Sequence, residues 1–316
     1  MQRYIVRRLA QAVLVVVGVS LVVFFVIRLS GDPTFLLLSA DATETDRTRF
    51  AREQGFDRPV YVQYAVFVKR AVQGDLGRSL RYRQPALPLV LERLPATMEL
   101  ALAALAISLV VAIPAGVISA VRRDTAYDNL TMLGALFGQS MPVFWLGIIA
   151  RYYLAEGGLT TIFPDGEYVP LTQSPTQWFW HLILPWCVLA VLFIGFYGRV
   201  LRSNILDTIN EDYVRTARAK GINPRRVMLR HVLRNSLIPI VTLFGLDFAA
   251  VLGGGAILTE TVFDLHGVGQ YAAQSIGSFD LPPIMAVTLY GAFFIVLFSA
   301  IVDFMYAYLD PRIRPT

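Results

Sequence analysis

Few residues of this chain have the types and spacing that chemistry needs. The three histidines, His181, His231 and His266, lie far apart, no H-E-x-x-H occurs, and no cysteine cluster exists to hold zinc. The single cysteine, Cys187, rules out an intramolecular disulfide and reads as a packing residue. Gly267-Val268-Gly269-Gln270-Tyr271-Ala272 fits the loose G-x-G-x-x-A dinucleotide pattern, but no βαβ unit surrounds it and a turn accounts for it. No G-x-x-x-x-G-K-[ST] occurs, so the chain has no P-loop to cradle ATP phosphates. Cofactor, metal and catalytic residues are therefore expected to be none, and any ATP chemistry has to come from a partner.

What the sequence does offer is a handle. Residues 199–235 are 37 residues holding nine Lys or Arg against three acids, Asp207, Glu211 and Asp212, between long apolar runs. Inside it Leu206, Ile209, Tyr213 and Ala217 recur at helical spacing, and Gly221 supplies a stop. The pattern predicts a short amphipathic helix exposed for another protein. A plainer reading is that the basic loop binds anionic lipid and fixes topology, at about 1 kcal/mol per cation near the surface.

The elements that position this loop lie in lipid. Hydrophobic residues make up 55% and charged residues 16% of the chain, well below the roughly 25% charged of soluble domains. A span needs about 20 apolar residues. Residues 9–27, 100–121, 130–150, 182–198, 236–258 and 281–302 qualify or nearly do, which predicts an all-α integral membrane protein with six transmembrane helices. The fourth is short and blurs into the aromatic belt of Trp178 and Trp180 beside His181. The first apolar run is too long for a signal peptide and lacks an A-x-A-like site, so it is expected to stay as an anchor.

Lys and Arg in the short loops set the orientation. One side carries 16 of them, from Arg3, Arg7, Arg8, Arg122, Arg123, the basic loop, Arg312 and Arg314, and the other side only Arg151. Both termini are therefore expected in the cytoplasm, and the net charge of +5 reads as an orientation signal with no sign of nucleic-acid binding. The 11 basic residues from Arg28 to Arg93 do not oppose this, because a long loop crosses largely regardless of charge.

The segment up to Pro95 is then external. Its mix of charge, Pro, Gly and apolar stretches such as 60–68 predicts a cap of one or two helices. At about 65 residues an isolated core is marginal, so the cap should lean on the membrane core or on a partner. Pro95 suits the first turn of the second span. The expected divisions are 1–29 (terminal segment and first span), 30–94 (cap), 95–305 (core, with the loop at 199–235) and 306–316 (cytoplasmic tail).

Arg215-Thr216-Ala217-Arg218-Ala219-Lys220-Gly221 resembles the E-A-A-x-x-x-G loop of ABC importer permeases, and Leu237-Ile238-Pro239 stands where that motif's I-x-L-P closes. The resemblance is to the dipeptide/oligopeptide subfamily and covers the whole chain. It is carried further by Arg28-Leu29-Ser30-Gly31-Asp32-Pro33, Gly74-Asp75-Leu76-Gly77-Arg78-Ser79-Leu80, Glu92-Arg93-Leu94-Pro95-Ala96-Thr97-Met98-Glu99-Leu100, His231-Val232-Leu233-Arg234-Asn235-Ser236 and Leu309-Asp310-Pro311-Arg312-Ile313-Arg314. Two departures stand out: Arg215 replaces the motif's Glu, and the spacing from Gly221 to Pro239 is longer than in the general pattern.

The resemblance implies a bacterial inner-membrane subunit that pairs with a second permease, docks two P-loop ATPases that bind ATP and Mg, and receives substrate from an external binding protein. It implies the permease half with the large loop after the first span, and Arg215, Thr216, Ala217, Lys220 and Gly221 as ATPase-coupling residues. Nickel chelates, glutathione or oligosaccharides are alternative cargoes. A channel or sensor working alone is the reading from another class.

Asp247 is the one acid read as lying well inside a span, about 16 Å from its start at 1.5 Å per residue. A carboxylate facing lipid there is costly, so Asp247 is expected to face the bundle interior or a water-filled cavity. It either lines the pathway and favours a peptide's free amino terminus, or caps a backbone group or pairs with Arg199 or His181 as structural glue. Glu260 and Asp264 read as a solvated external face or a greeting site for cations. The run 253–255 reads as close packing through small residues or a hinge.

Overall fold

The computed structural model describes residues 2–29 and 43–309. The Ser30-Gly31-Asp32-Pro33 part of the first motif, the start of the cap and the 310–316 part of the tail lie outside the described residues. Helices account for the secondary structure there, with isolated bridges at Arg78–Pro85 and Ala155–Phe163 and no strand among the described residues.

The first helix, α1 (Gln2–Leu29), carries the apolar stretch Ala10–Val26. The cap contributes α2 (Glu44–Gln54) and α3 (Val60–Val72). A reciprocal capping box starts α2: the Thr43 hydroxyl accepts from Asp46 N–H, and the Asp46 carboxylate accepts from Thr43 N–H. That bonding holds the Asp46 carboxyl below the usual carboxylate range. The apolar stretch 60–68 lies in α3, which packs on α1. Tyr64 and Phe67 pack on Phe24 with ring centroids 5.4 and 5.9 Å away, and Tyr64 Oη and Ser20 Oγ share a 2.8 Å hydrogen bond.

The central pair is α4 (Ala86–Val121) and α7 (Pro175–Thr208), whose Leu100, Ala104, Leu105 and Ala112 bury against Leu182, Leu189, Ala190 and Tyr197. Both are longer than expected. α4 starts at Ala86, so Pro95 sits inside it and not in its first turn, while Pro85 is its cap. The fourth span, short by hydropathy, becomes 34 residues because Ser174 caps it, Pro175 suits its first turn, and neighbours accommodate Pro185. Cys187 is exposed on α7, which corrects the expected packing role: its face is not covered by this chain.

The expected third span is a sharply bent pair, α5 (Ala126–Ser140) and α6 (Val143–Leu154), at 97°. Pro142 lies at the break, where its missing N–H and its restriction on Met141 stop α5. On α7, Gly195 lets α5 approach: a Cβ there would lie 2.4 Å from the Ala135 carbonyl oxygen.

After α7 comes α8 (Asp212–Ala219), then a helical stretch whose Val227–Val232 turn is π-helical, then α9 (Ile238–Ala250). The α9 span ends in a π-helical turn, Val251–Gly255, broken at Gly254 with φ +116°. Only glycine takes that conformation at little cost. Gly253 also meets the last helix, since a Cβ on Gly291 would lie 3.0 Å from the Gly253 carbonyl oxygen. The run is therefore both a break and a close contact. The chain continues as α10 (Ile257–Phe263), α11 (Val268–Gly277) and α12 (Leu281–Leu309).

Among the described residues four helices are long and apolar enough to cross a membrane, or five if the bent pair counts as one span. The sequence expectation was six, and α1 shows only its shorter described stretch.

Candidate functional site: the α8 handle and the polar locks of the spans

Helix α8 lies where the basic loop predicts it, but its apolar face is turned the other way from expectation. Val214 and Ala217 are buried, packed with Ala120, Leu201, Ile205, Val227, Val232 and Ile240. Leu206 and Ile209 belong to the end of α7 and not to the same helix as Tyr213. Ala217 thus packs the helix onto its own chain. The outward face carries Tyr213, Arg215, Thr216, Arg218, Ala219 and Lys220, all exposed.

Of the expected coupling residues, Arg215 reaches back to Asp212 at 3.5 Å and the Thr216 hydroxyl donates to the Asp212 carbonyl at 2.9 Å. Lys220 caps the helix, and Gly221 follows at φ +72° with open space around its Cα. That left-handed residue ends the helix as the sequence requires. Arg215, Thr216, Lys220 and Gly221 are therefore all exposed along α8 and the turn that ends it, and Ala217 is buried.

Asp247 is partly buried and faces α7. Tyr197 Oη, itself buried, donates to Asp247 Oδ2 at 2.7 Å. Neither expected partner is used: Arg199 donates to Gln139, and His181 pairs through Nδ1 with the Gly166 carbonyl.

Several polar groups escaped the sequence reading. Asp128, at the start of α5, is buried and accepts from Arg202 Nε at 2.7 Å and Nη2 at 2.6 Å, from Asp124 N–H at 3.0 Å and from the Ser119 hydroxyl. This joins α4, α5 and α7. Glu99 on α4 accepts at Oε2 from Trp178 Nε1 at 2.7 Å and Tyr168 Oη at 3.1 Å.

Glu260 is fully buried, which corrects its placement on a solvated face. Its carboxylate accepts from Thr97 Oγ1 at 2.7 Å and Gln270 N–H at 2.8 Å, and so closes the N-terminus of α11. This explains Gly267-x-Gly269. A Cβ on Gly267 would fall 2.4 Å from the Glu260 carboxyl carbon, and one on Gly269 would lie 3.0 Å from its Oε2. The glycines make room for the chain's own carboxylate.

A comparable tether fixes the cap, where buried Asp280 accepts from Ser79 Oγ at 2.5 Å and Leu80 N–H at 3.0 Å. The segment 155–174 is held by Arg151, which donates to both Asp165 oxygens, at 2.5 and 2.8 Å, and to the Val262 carbonyl. The Arg151 guanidinium holds the Asp165 carboxyl below the usual carboxylate range. Among the described residues no group of His, Cys, Asp and Glu could hold a metal ion.

The site is an exposed helix end on a bundle of apolar helices joined by buried polar pairs. The comparisons agree. Residues 112–315 match the family described as binding-protein-dependent transport system inner membrane component, and residues 1–101 match its N-terminal counterpart. The chain is similar to a putative peptide transport system permease protein of Brucella abortus, 37% identical over 99% of both chains. It is likewise similar to the oligopeptide transport system permease protein AppB of Bacillus subtilis, 36% identical over 99% of this chain and 100% of that one.

The probable D,D-dipeptide transport system permease protein DdpB of Escherichia coli is 38% identical over 95% of this chain and 94% of its own. A solved structure of the MetNI methionine ABC transporter, in inward-facing conformations, matches in fold with a TM-score of 0.51 over 70% of this chain and 96% of that chain, at 15% identity. The chain belongs to the family of binding-protein-dependent transport system inner membrane components.

Proposed function

We propose that this chain is the transmembrane permease subunit of an ATP-binding-cassette importer, translocating dipeptides or oligopeptides across the bacterial cytoplasmic membrane. The observation that carries the reading is the full-length similarity to permeases named for peptide, oligopeptide and D,D-dipeptide transport. The chain is a conduit and hydrolyses nothing; ATP and Mg belong to two partner ATPases. A second, homologous permease completes the pathway, an external binding protein delivers substrate, lipid surrounds the spans, and nucleic acid has no part.

In this reading both termini lie inside, the basic loop faces the cytoplasm, and the cap with α2 and α3 faces outward. Residues 1–29, with α1, supply the first of six spans, 30–94 the cap, 95–305 the permease core and 306–316 the tail. The ATPases grip the exposed end of α8 through Arg215, Thr216, Lys220 and the turn at Gly221. The buried face, Val214 and Ala217, is wedged against α4, α7 and α9. When the nucleotide sites close, α8 therefore moves with the spans as one body, and the pathway alternates between two discrete arrangements. Asp247, between α9 and α7, is the carboxylate available to a cationic amino terminus on that pathway.

Reconstitution tests this. Proteoliposomes holding the permease pair and ATPases should take up a labelled peptide only when ATP is inside and the loaded binding protein outside. Uptake of peptide without ATP or binding protein would overturn the reading.

A further inference from the structure

We propose that a cleft beside α8 seats the phosphodiester headgroup of an anionic phospholipid. The cleft is lined by Tyr213, Arg230, His231, Arg234, Asn235 and Ile238 and has a volume of about 300 Å³, at the lower end of the size that holds small ligands. It rests on the inward placement of this face proposed above.

Three of the six lining residues are basic and none is acidic. Among the described residues neither Arg230 nor Arg234 has a carboxylate partner, whereas Arg123, Arg151, Arg202 and Arg215 pair with Asp124, Asp165, Asp128 and Asp212. Both arginines are exposed and lie four residues apart, so they present their charge to one place. The cleft is tied across: Asn235 Nδ2 donates to Tyr213 Oη at 2.7 Å, and Tyr213 Oη donates to the His231 carbonyl at 3.4 Å. The arrangement is an anion cradle with no anion of its own.

Depth decides what the anion is. Ile238 lines the cleft and also opens the apolar α9 stretch 238–255, so the cations stand beside the cytoplasmic start of that span in the proposed orientation. Leu229, next to Arg230, is half exposed, an apolar side chain available to the acyl boundary. Of the residues proposed to meet the ATPase, Lys220 and Gly221 lie at the opposite end of α8 from Tyr213, and none lines the cleft. A lipid phosphate satisfies these cations while leaving Arg215, Thr216, Lys220 and Gly221 uncovered.

Tyr213 belongs to α8 and Ile238 to α9, so a headgroup between them braces the handle against the span it moves. Coupling should then depend on anionic lipid. Near an anionic surface each arginine adds about five-fold to headgroup affinity.

The test uses Leu229→Trp as a local reporter in the full chain, reconstituted alone and with its partner subunits, in vesicles of phosphatidylcholine with or without a minority of phosphatidylglycerol. Brominated phosphatidylglycerol should quench the added emission more than brominated phosphatidylcholine. That preference should fall about five-fold in Arg230→Gln and further in the double variant with Arg234→Gln. It should survive in Arg230→Lys with Arg234→Lys, which separates loss of charge from misfolding. Equal quenching by the two lipids would overturn the proposal. So would displacement by millimolar inorganic phosphate, which would make the ligand a free ion, or loss of the preference whenever the ATPases are bound, which would assign the cleft to their interface. Peptide uptake in vesicles that contain phosphatidylglycerol tests the transport reading separately, because that reading does not depend on where the headgroup sits.

Discussion

Tyr197 donates its phenolic proton to Asp247 across 2.7 Å, tying the middle of α9 to α7. The pairing keeps a carboxylate inside the bundle without a cation, as the cost of exposing it to lipid demands. One oxygen is satisfied by Tyr197. Asp247 therefore has capacity left for a passing amino group, and its partner is too well buried to leave.

Asp247→Asn keeps the shape and can still accept from Tyr197. Assembly and basal ATPase activity should stay normal, while uptake of peptides with a free amino terminus falls relative to N-acetylated analogues carried by the same binding protein. Tyr197→Phe should instead destabilise the chain by about 1 kcal/mol, because it removes the hydrogen bond to a partly buried acceptor. An equal fall for both substrates in Asp247→Asn would make the residue structural.

The Asp128 cluster makes a different forecast. Removing Arg202 by Arg202→Ala leaves a buried carboxylate with its charge uncompensated, and should cost about 2–3 kcal/mol, read as a lower midpoint of thermal unfolding in detergent. Asp128→Asn should cost less, since the amide still bonds Ser119. Equal midpoints for Arg202→Ala and the unaltered chain would show that solvent serves Asp128 as well as Arg202 does.

Between Arg151 and Asp165 the dependence is on pH. The Asp165 carboxyl is depressed in the folded chain, so the tether is fully present above the unfolded value of about 4 and is lost as pH falls through the lower folded value. Proteolytic nicking of 155–174 should stay flat through neutrality and rise only below about pH 4. Asp165→Asn should already be nicked at neutral pH, and a variant nicked no faster than the unaltered chain would show that the tether does not order this segment.

Much of this was legible in the sequence, and the misses have physical causes. Run length alone located the long helices, because a span is recognised by the hydrocarbon it must match. The same logic shortened α7, since hydropathy stops at Trp178 and His181 while the helix is set by its cap at Ser174. The third span read as one run because its residues are mostly apolar, and hydropathy does not register the 97° bend at Pro142. The periodicity at Ala217 correctly announced a helix. It could not say whose apolar surface the face would meet, and the answer was its own chain. Glu260 looked solvated by its neighbours in sequence, yet Thr97, far away along the chain, supplies its donor. Asp128 with Arg202 was invisible for the same reason: tertiary pairs leave no local pattern.

The most direct test of the account is to measure peptide uptake and substrate-stimulated ATP hydrolysis together in the reconstituted importer carrying Gly221→Pro. Gly221 sits at φ +72°, which proline's ring forbids, so the turn that ends α8 must rearrange while the spans and the buried Val214 and Ala217 stay in place. The account predicts normal amounts in the membrane, uptake reduced at least ten-fold, and ATP hydrolysis that no longer responds to the loaded binding protein. Wild-type uptake with wild-type stimulation would contradict it, because energy would then be reaching the pathway by some route other than the exposed end of α8.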